Sequence, residues 1–306
     1  CARTSESYAG GVAQEPVLER AEWLVFHGAV DESLPLLEEV PGLTGRPGVY
    51  ARWLRAVALG ACGRYGEALE VLESITPDVP EYSMARSLRG SLLRQIGCHD
   101  LALIADREAM SSAATPGAAI EAMTGLAADA VGLEDVPAAT GSLAQARGLL
   151  GRVAADPRSA ALWWRHQVRM AWVECEVALL ESRYPDAVAH ATLALDAAEA
   201  ATAPRHVAKS LLFVAVAEIQ VGRPDSAIPR LRRSLMLSTS MGFLAVAWPA
   251  HAVLAALLKG SDPQAAHQHF VQASEITKAV RDGLTGELAR RWDARADIMA
   301  LHKEAS

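Results

Sequence analysis

The sequence predicts an all-α fold in which about seven helix pairs stack into an α-solenoid that ends in a C-terminal capping helix. The 306 residues are 51% apolar but only 5% aromatic, and Ala and Leu dominate the apolar set. This balance suits closely packed helices better than sheets. A short phrase of sequence also recurs along the chain, at spacings of 34 to 48 residues. Such periods are typical of stacked helix pairs, in which no pair buries its apolar face alone.

The recurring phrase begins with a glycine, continues through a short turn and places a small residue at the opening of the next helix. Its clearest copies lie at residues 63–69, 97–102 and 222–228. The glycine is expected to end the first helix in a left-handed conformation, and the small residue lets two helices approach closely. These small residues, called anchors below, are Ser33, Ala68, Ala102, Ala139, Ala187, Ala227 and Ala266, at successive spacings of 35, 34, 37, 48, 40 and 39.

The phrase resembles the tetratricopeptide repeat (TPR), a helix-turn-helix unit with a period of 34 residues. The resemblance covers roughly residues 16–282 and is strongest over residues 58–72 and 215–231. The family's Trp and Tyr positions in the first helix are mostly not kept, so the chain resembles the divergent bacterial type. The segment GRYGEALEVLE at residues 63–73 also has a lesser similarity to the repeat region of LuxR-family and MalT-like regulators. The resemblance implies a right-handed TPR-like α-solenoid.

The predicted domain organisation is a flexible N-terminal tail over residues 1–14 and a single solenoid domain over residues 15–303. The tail is polar and contains glycine, as is typical of unstructured termini. Residues 284–303 have no second helix after them, which predicts one amphipathic capping helix carrying Leu288, Trp292 and Ile298. Trp292 and this cap are also the candidate surface for a homodimer.

Charge and motif content point away from several classes of function. The net charge of −7, without a long basic block, argues against direct nucleic-acid binding. No apolar run approaches the length of a membrane span. Phosphate-binding loops, nucleophile elbows and zinc-protease motifs are missing from the sequence, so we expect no enzyme activity and no cofactor. The cysteines (Cys1, Cys62, Cys98 and Cys175) form no C-x-x-C pair and suit a reducing cytoplasm, with a lipid anchor on Cys1 as the alternative.

In the TPR family the first helices line a concave groove that holds the partner. Counting from each anchor, the resemblance assigns groove positions in five of the units. Their aromatic, cationic and amide side chains suit a peptide or protein segment, because aromatics supply apolar area and Arg pairs with carboxylates. The predicted groove residues are Tyr50, Trp53, Arg94, Gln95, Arg169, Trp172, Glu176, Lys209, Trp248 and His251.

Four arginines form a second candidate site. Arg52 and Arg55 share a helix face, as do Arg86 and Arg89 at the same positions of the next unit. Stacking would bring the two pairs together as a ladder that could bind an anion or a carboxylate. The alternative is a set of surface or inter-repeat salt bridges to glutamates such as Glu67, Glu70 or Glu73.

The longest spacing between anchors contains a third candidate, for a groove or an interface. It is the cluster Trp163, Trp164, Arg165 and His166. Neighbouring residues on a helix point about 100° apart. One tryptophan is therefore expected in the core and the other half exposed.

A metal site near the C-terminus is not expected. His267 and His269 could approach His251. However, residues two apart on a helix point about 200° apart, so we interpret these side chains as exposed histidines.

The sequence thus predicts a non-catalytic TPR-like scaffold that binds a peptide or protein in its concave groove, in bacterial regulation or complex assembly. A sensor module for a small anionic ligand or a signalling peptide is the alternative. An enzyme built on an α-solenoid is a third interpretation.

Overall fold

A computed structural model of the protein describes residues 6–38, 44–153 and 163–306. Within these ranges the chain forms sixteen α-helices and no β-strand. The helices are Glu6–His27 (α1), Val30–Glu38 (α2), Gly45–Ala61 (α3), Tyr65–Glu73 (α4), Tyr82–Ile96 (α5), His99–Ser111 (α6), Pro116–Gly132 (α7), Val136–Val153 (α8), Trp163–Leu180 (α9), Tyr184–Ala200 (α10), Pro204–Gln220 (α11), Pro224–Ser240 (α12), Leu244–Leu258 (α13), Pro263–Asp282 (α14), Gly286–Asp293 (α15) and Ala296–Glu304 (α16).

The first fourteen helices form seven pairs, and each helix packs against its partner and against the next helix along the chain. Every anchor lies in the second helix of its pair and is buried, none of them more than 2% exposed. The apolar faces therefore meet where the small residues allow close approach. The predicted fold class, a right-handed α-solenoid of seven TPR-like pairs with a C-terminal cap, is confirmed.

Glycine ends the first helix in the clearest copies of the phrase. Gly63, Gly97 and Gly222 have φ values of 77°, 92° and 74°, the left-handed region that glycine enters without a steric penalty. At the corresponding turns of two other pairs, before the anchors Ala139 and Ala187, Glu134 and Ser182 lie in this region at φ values of 59° and 56°. These two turns thus keep the left-handed conformation although a residue other than glycine occupies it.

The two ends of the stack pack against each other. Helix α13 contacts α3, α11 contacts α1, and α15 contacts α5. The largest core cluster accordingly joins residues 21–105 with residues 243–301. Trp292 is fully buried in this contact, which we call the closure seam, with its ring centroid 6.4 Å from that of Tyr65 and 6.2 Å from that of Trp248. The prediction that Trp292 lies at a homodimer surface is therefore wrong, because the chain covers it itself.

The cap consists of two short helices, α15 and α16, instead of the single helix predicted over residues 284–303. The chain bends at Arg295, whose backbone is extended (φ −67°, ψ 126°). The bend turns the Arg295 guanidinium inward, 4.9 Å from the ring centroid of Trp292 and 5.5 Å from that of Trp248. There it donates a hydrogen bond to the carbonyl oxygen of Gln95. The break in the cap thus allows Arg295 to contact the closure seam.

At the N-terminus, α1 begins at Glu6. Residues 6–14 are therefore helical where the sequence predicts a flexible tail. Residues 1–5, including Cys1, lie outside the described residues, so the domain boundaries stay a prediction.

The structure also describes the burial of the cysteine thiols and the apolarity of the helices. Cys98 and Cys175 are buried free thiols, while Cys62 is half-buried. In the described ranges, none of the helices combines the length and the apolarity needed to cross a membrane.

Candidate functional site

The first helices of five pairs surround a cavity of about 330 Å³, whose walls come from α3, α5, α9, α11 and α13. A smaller chamber of about 180 Å³ adjoins it and shares Ser91, Gln95 and Trp172 with its wall. We call the two chambers the central cavity. Arg295 of the cap contributes to the larger chamber. Because the walls come from both ends of the chain, the cavity depends on the closure seam.

One wall carries an arginine cluster formed by Arg165, Arg169 and Arg205. Glu121 of α7 lies behind two of them: Arg165 Nη1 is 2.6 Å from Oε1 and Arg169 Nε is 3.0 Å from Oε2. His166 Nδ1 is 2.8 Å from the same carboxylate. Burial alone would raise the pKa of Glu121, but Arg165 and Arg169 outweigh burial and hold that pKa well below its usual range. The Glu121 carboxylate therefore stays ionised at neutral pH.

Arg205 differs from its two neighbours because no carboxylate pairs with it among the described residues. The neighbouring cations that act on it are Arg165 and Arg169. Burial, followed by these two cations, lowers the pKa of Arg205 to about 9, so its guanidinium stays charged at neutral pH. Glu121 thus pairs with two of the three guanidinium groups and leaves Arg205 without a carboxylate among the described residues, so positive charge is in excess on this wall.

An aromatic wall continues from the arginine cluster. The ring of Trp172 stacks with His206 at 5.5 Å and with Phe213 at 5.9 Å between centroids. Its indole N–H donates to Ser210 Oγ at 2.9 Å, which fixes the ring plane. Burial, followed by the nearby Arg205, holds the pKa of His206 well below its usual range, so the imidazole is neutral. This wall offers flat apolar area to a ligand.

Lys209 and Glu176 face the cavity beside the aromatic wall. Lys209 Nζ lies 4.5 Å from the ring centroid of Trp172, within cation–π range. Burial lowers the pKa of Lys209 to about 8 and raises that of Glu176. Each charge stabilises the other, so the pair adds no net charge to the arginine cluster.

Arg94 reaches the smaller chamber but is held by two buried carboxyl groups. Its Nη1 donates to Asp129 Oδ1 at 2.6 Å and also to Asp106. Both aspartates are fully buried, and burial raises the pKa of Asp106 to about 7. Gly90 and Gly125 make room for the Asp106 carboxyl, since a Cβ at either position would overlap it. One guanidinium thus lies between two carboxyl groups, which compensate its charge within the protein.

Seven of the predicted groove residues lie on the central cavity. They are Arg94, Gln95, Arg169, Trp172, Glu176, Lys209 and Trp248. The structure thus brings together positions counted from four different anchors. Their role in holding a partner stays a prediction.

Tyr50 and Trp53 lie off the central cavity, contrary to prediction. Their rings stack at 5.6 Å, and Trp53 is 6.3 Å from Phe26 of α1. The Tyr50 hydroxyl donates to Glu22 Oε1 at 2.9 Å. Helix α1 therefore covers this end of α3, and only later positions such as Val57 reach the cavity.

His251 also lies off the cavity, because it turns toward α14. Its Nδ1 is 2.8 Å from that of His269. His267 is exposed as predicted, whereas His269 is half-buried, so the interpretation of His269 as exposed is wrong. Across the described ranges, no three potential metal-ligating side chains come together.

The four-arginine ladder does not form at the cavity. Arg55 pairs with Glu38 at 3.5 Å, and Arg89 pairs with Glu73. Arg86 is buried and lies 3.9 Å from Glu73 and 3.7 Å from Glu108. Arg52 is exposed. The salt-bridge alternative therefore accounts for three of these side chains.

The tryptophan cluster divides between two neighbours. Trp163 packs with Ile120 of α7 in a small core cluster. Trp164 makes an edge contact with His206 of α11 at 4.8 Å between centroids. Both rings are half-buried, so the expected split into one core and one half-exposed ring is wrong. The helical rotation sends each ring against a different helix, and Arg165 is the member of the cluster that lines the cavity.

Sequence reasoning missed Arg205, His206, Phe213 and Arg295. Arg205 and Phe213 lie four residues before and after the predicted Lys209, on the same face of α11. A search at helical spacing around Lys209 would therefore have found them. Arg295 carried no such signal, because it reaches the cavity only through the closure seam.

Solved structures with a similar fold are TPR-containing helical-repeat proteins. A Rap protein in complex with competence and sporulation factor aligns over 95% of this chain and 80% of its own length, at 12% identity and a TM-score of 0.58. NprR in complex with its cognate peptide NprX aligns over 92% and 86%, at 12% identity and a TM-score of 0.58. Aspartyl phosphate phosphatase F from Bacillus subtilis aligns over 99% and 84%, at 12% identity and a TM-score of 0.51.

These similarities show that the chain has a TPR-like fold. No family model matches the sequence, and a search of curated proteins finds no relative. The narrower resemblance to LuxR-family and MalT-like regulators stays a prediction.

Proposed function

We propose that this protein is a non-catalytic TPR-like binding module that holds a short peptide segment in its central cavity, in bacterial regulation or complex assembly. The observation that carries the proposal is the convergence of five first helices on one cavity with aromatic and cationic walls. Concave sites with apolar walls and a few placed polar groups are where proteins commonly bind small ligands. Two of the similar structures, the Rap protein and NprR, are complexes with a factor and a peptide.

The size of the cavity favours a short segment over a folded partner. Its larger chamber, at about 330 Å³, is at the low end of the range for small-ligand sites, roughly 300–1,000 Å³. A few side chains fit such a space, and the surface of a folded protein does not.

The cytoplasm is the proposed location of the protein.

The proposal is tested by filling the cavity. Ser91 lines both chambers, so Ser91→Trp places a large ring where a ligand would lie. Ser226 is exposed on α12, and Ser226→Trp is the matched control. Short random peptides displayed on phage are selected on the wild-type protein, and their affinities are measured by calorimetry.

Selected peptides are expected to bind Ser91→Trp at least tenfold more weakly than wild type and to bind Ser226→Trp unchanged. Failure to enrich any peptide would contradict the proposal. So would peptides that bind Ser91→Trp as tightly as the wild-type protein, because their site would then lie elsewhere.

A further inference from the structure

We propose that the central cavity selects a ligand with an anionic group beside a flat aromatic ring, with Arg205 and Arg165 binding the anion and Trp172 and Phe213 the ring. This inference rests on the proposed function, because it names the chemistry of the ligand held at the same site. Carboxylates and phosphates share the relevant chemistry, since guanidinium groups bind both through paired hydrogen bonds.

The charge of the arginine cluster is the first observation behind this proposal. Among the described residues, Glu121 pairs with Arg165 and Arg169, and no carboxylate pairs with Arg205. Buried cations are costly unless they are paired. A ligand anion in the cavity would supply the countercharge that the described residues do not.

Unused donors on the same wall are the second observation. Arg165 is only 6% exposed, yet within the described ranges its Nε has no hydrogen-bond partner. Buried polar groups in folded proteins are nearly always hydrogen-bonded. Because the Arg165 side chain lines the larger chamber, an acceptor placed there would satisfy it.

Two other cations of low exposure, Arg94 and Arg86, each lie near two carboxyl groups, unlike Arg205. Arg94 is shared by Asp106 and Asp129. Arg86 lies within ion-pairing distance of Glu73 and Glu108. Arg205 has no carboxyl partner among the described residues, and it lies where the arginine cluster borders the cavity.

The aromatic wall begins where the arginine cluster ends. Trp172 follows Arg169 by three residues on α9, and Phe213 follows Arg205 by eight residues on α11. Both spacings keep the side chains on one helix face. A ligand whose anion meets the arginines therefore places its adjacent atoms against the rings of Trp172 and Phe213.

Small probes test the selectivity directly. N-acetylphenylalanine carries a carboxylate, N-acetylphenylalaninamide is its neutral counterpart, and phenyl phosphate supplies the other anion. Binding is followed in 15N-labelled protein through the indole N–H signal of Trp172, which is assigned with Trp172→Phe. The variants are Arg205→Gln and, as the matched control on an exposed site, Arg52→Gln.

The wild-type protein is expected to bind at least one of the two anions tenfold or more tightly than the neutral amide. Arg205→Gln should abolish this preference, and Arg52→Gln should keep it. The thermal midpoint of ligand-free Arg205→Gln should equal or exceed that of wild type, because the change removes a half-buried cation repelled by Arg165 and Arg169. A purely structural Arg205 would instead lower the midpoint.

Equal affinity for the anions and the amide would overturn the inference, as would the absence of binding by every probe or a lowered midpoint in Arg205→Gln. The proposed function can be refuted independently of this inference. If selected peptides lose affinity for Ser91→Trp but ignore Arg205→Gln, the binding module stands and its anion selectivity does not.

Discussion

Replacement of Gly66 by alanine is expected to strain the closure seam. Gly66 lies in the first turn of α4, opposite the backbone of Gly283 at the end of α14. A Cβ at this position would lie 3.2 Å from the carbonyl carbon of Gly283 and would overlap its carbonyl oxygen. Backbone atoms cannot rotate away as a flexible side chain can, so one end of the stack must shift.

Gly148 provides the matched control, because it is an exposed helical glycine of α8 and no neighbouring atom lies within 4 Å of the position that a Cβ would take. Gly148→Ala should stabilise the protein by roughly 0.5–1 kcal/mol through helix propensity. Gly66→Ala should destabilise it by about 1–3 kcal/mol, the usual cost of overpacking. The two free energies of unfolding should therefore differ by roughly 1.5–4 kcal/mol.

Urea unfolding followed by circular dichroism measures both free energies, and small-angle X-ray scattering measures the radius of gyration. We expect a larger radius for Gly66→Ala and an unchanged radius for Gly148→Ala. A Gly66→Ala protein as stable and as compact as Gly148→Ala would refute the close backbone contact and, with it, the closed stack.

Two further substitutions test buried groups. Asp106 has its pKa raised to about 7, so the native state holds a proton that the unfolded chain has released above about pH 4. Native stability therefore falls as pH rises from about 4 to 7 through this group, and Asp106→Asn should remove that contribution, which has a limiting slope of about 1.4 kcal/mol per pH unit. Trp292→Ala should lower the free energy of unfolding by about 3–5 kcal/mol through cavity formation, whereas Trp23→Ala, at a ring 48% exposed, should change it by less than about 0.5 kcal/mol.

The aspartate test uses the difference in unfolding free energy between wild type and Asp106→Asn at each pH. Histidines with lowered pKa values, such as His206 and His251, contribute an opposite slope near pH 6 that is common to both proteins and cancels. A pH-independent difference would show that Asp106 is ionised in the native state. Equal effects of the two tryptophan substitutions would contradict the burial of Trp292.

The repeat architecture was predictable from sequence because its information is local. Each anchor, from Ser33 to Ala266, marks a contact between helices that are neighbours in the chain, so spacing alone locates the pairs. The closure seam was not predictable in this way. It depends on small rotations accumulated over all seven pairs, and its contacts, such as that between Arg295 and Gln95, join residues far apart in sequence.

The difference between local and long-range contacts also explains which of the predicted groove residues lie on the central cavity. Counting from anchors placed Trp172, Glu176 and Lys209 on the cavity wall, because the middle units follow the family's helix phase. Counting failed for Tyr50 and Trp53, where α1 covers the first helix of the second unit. A covering helix is a tertiary feature that residue spacing does not encode.

The closure seam also sets an order for folding during synthesis. Tyr65 emerges from the ribosome more than two hundred residues before Trp292, its partner in the seam. Until α13 and α15 are made, the faces of α3 and α5 that contact them in the closure seam stay uncovered, and such exposed apolar area favours aggregation. A nascent chain is thus most vulnerable before α13 to α16 have been made, when the early pairs are present and the closure seam has not yet formed.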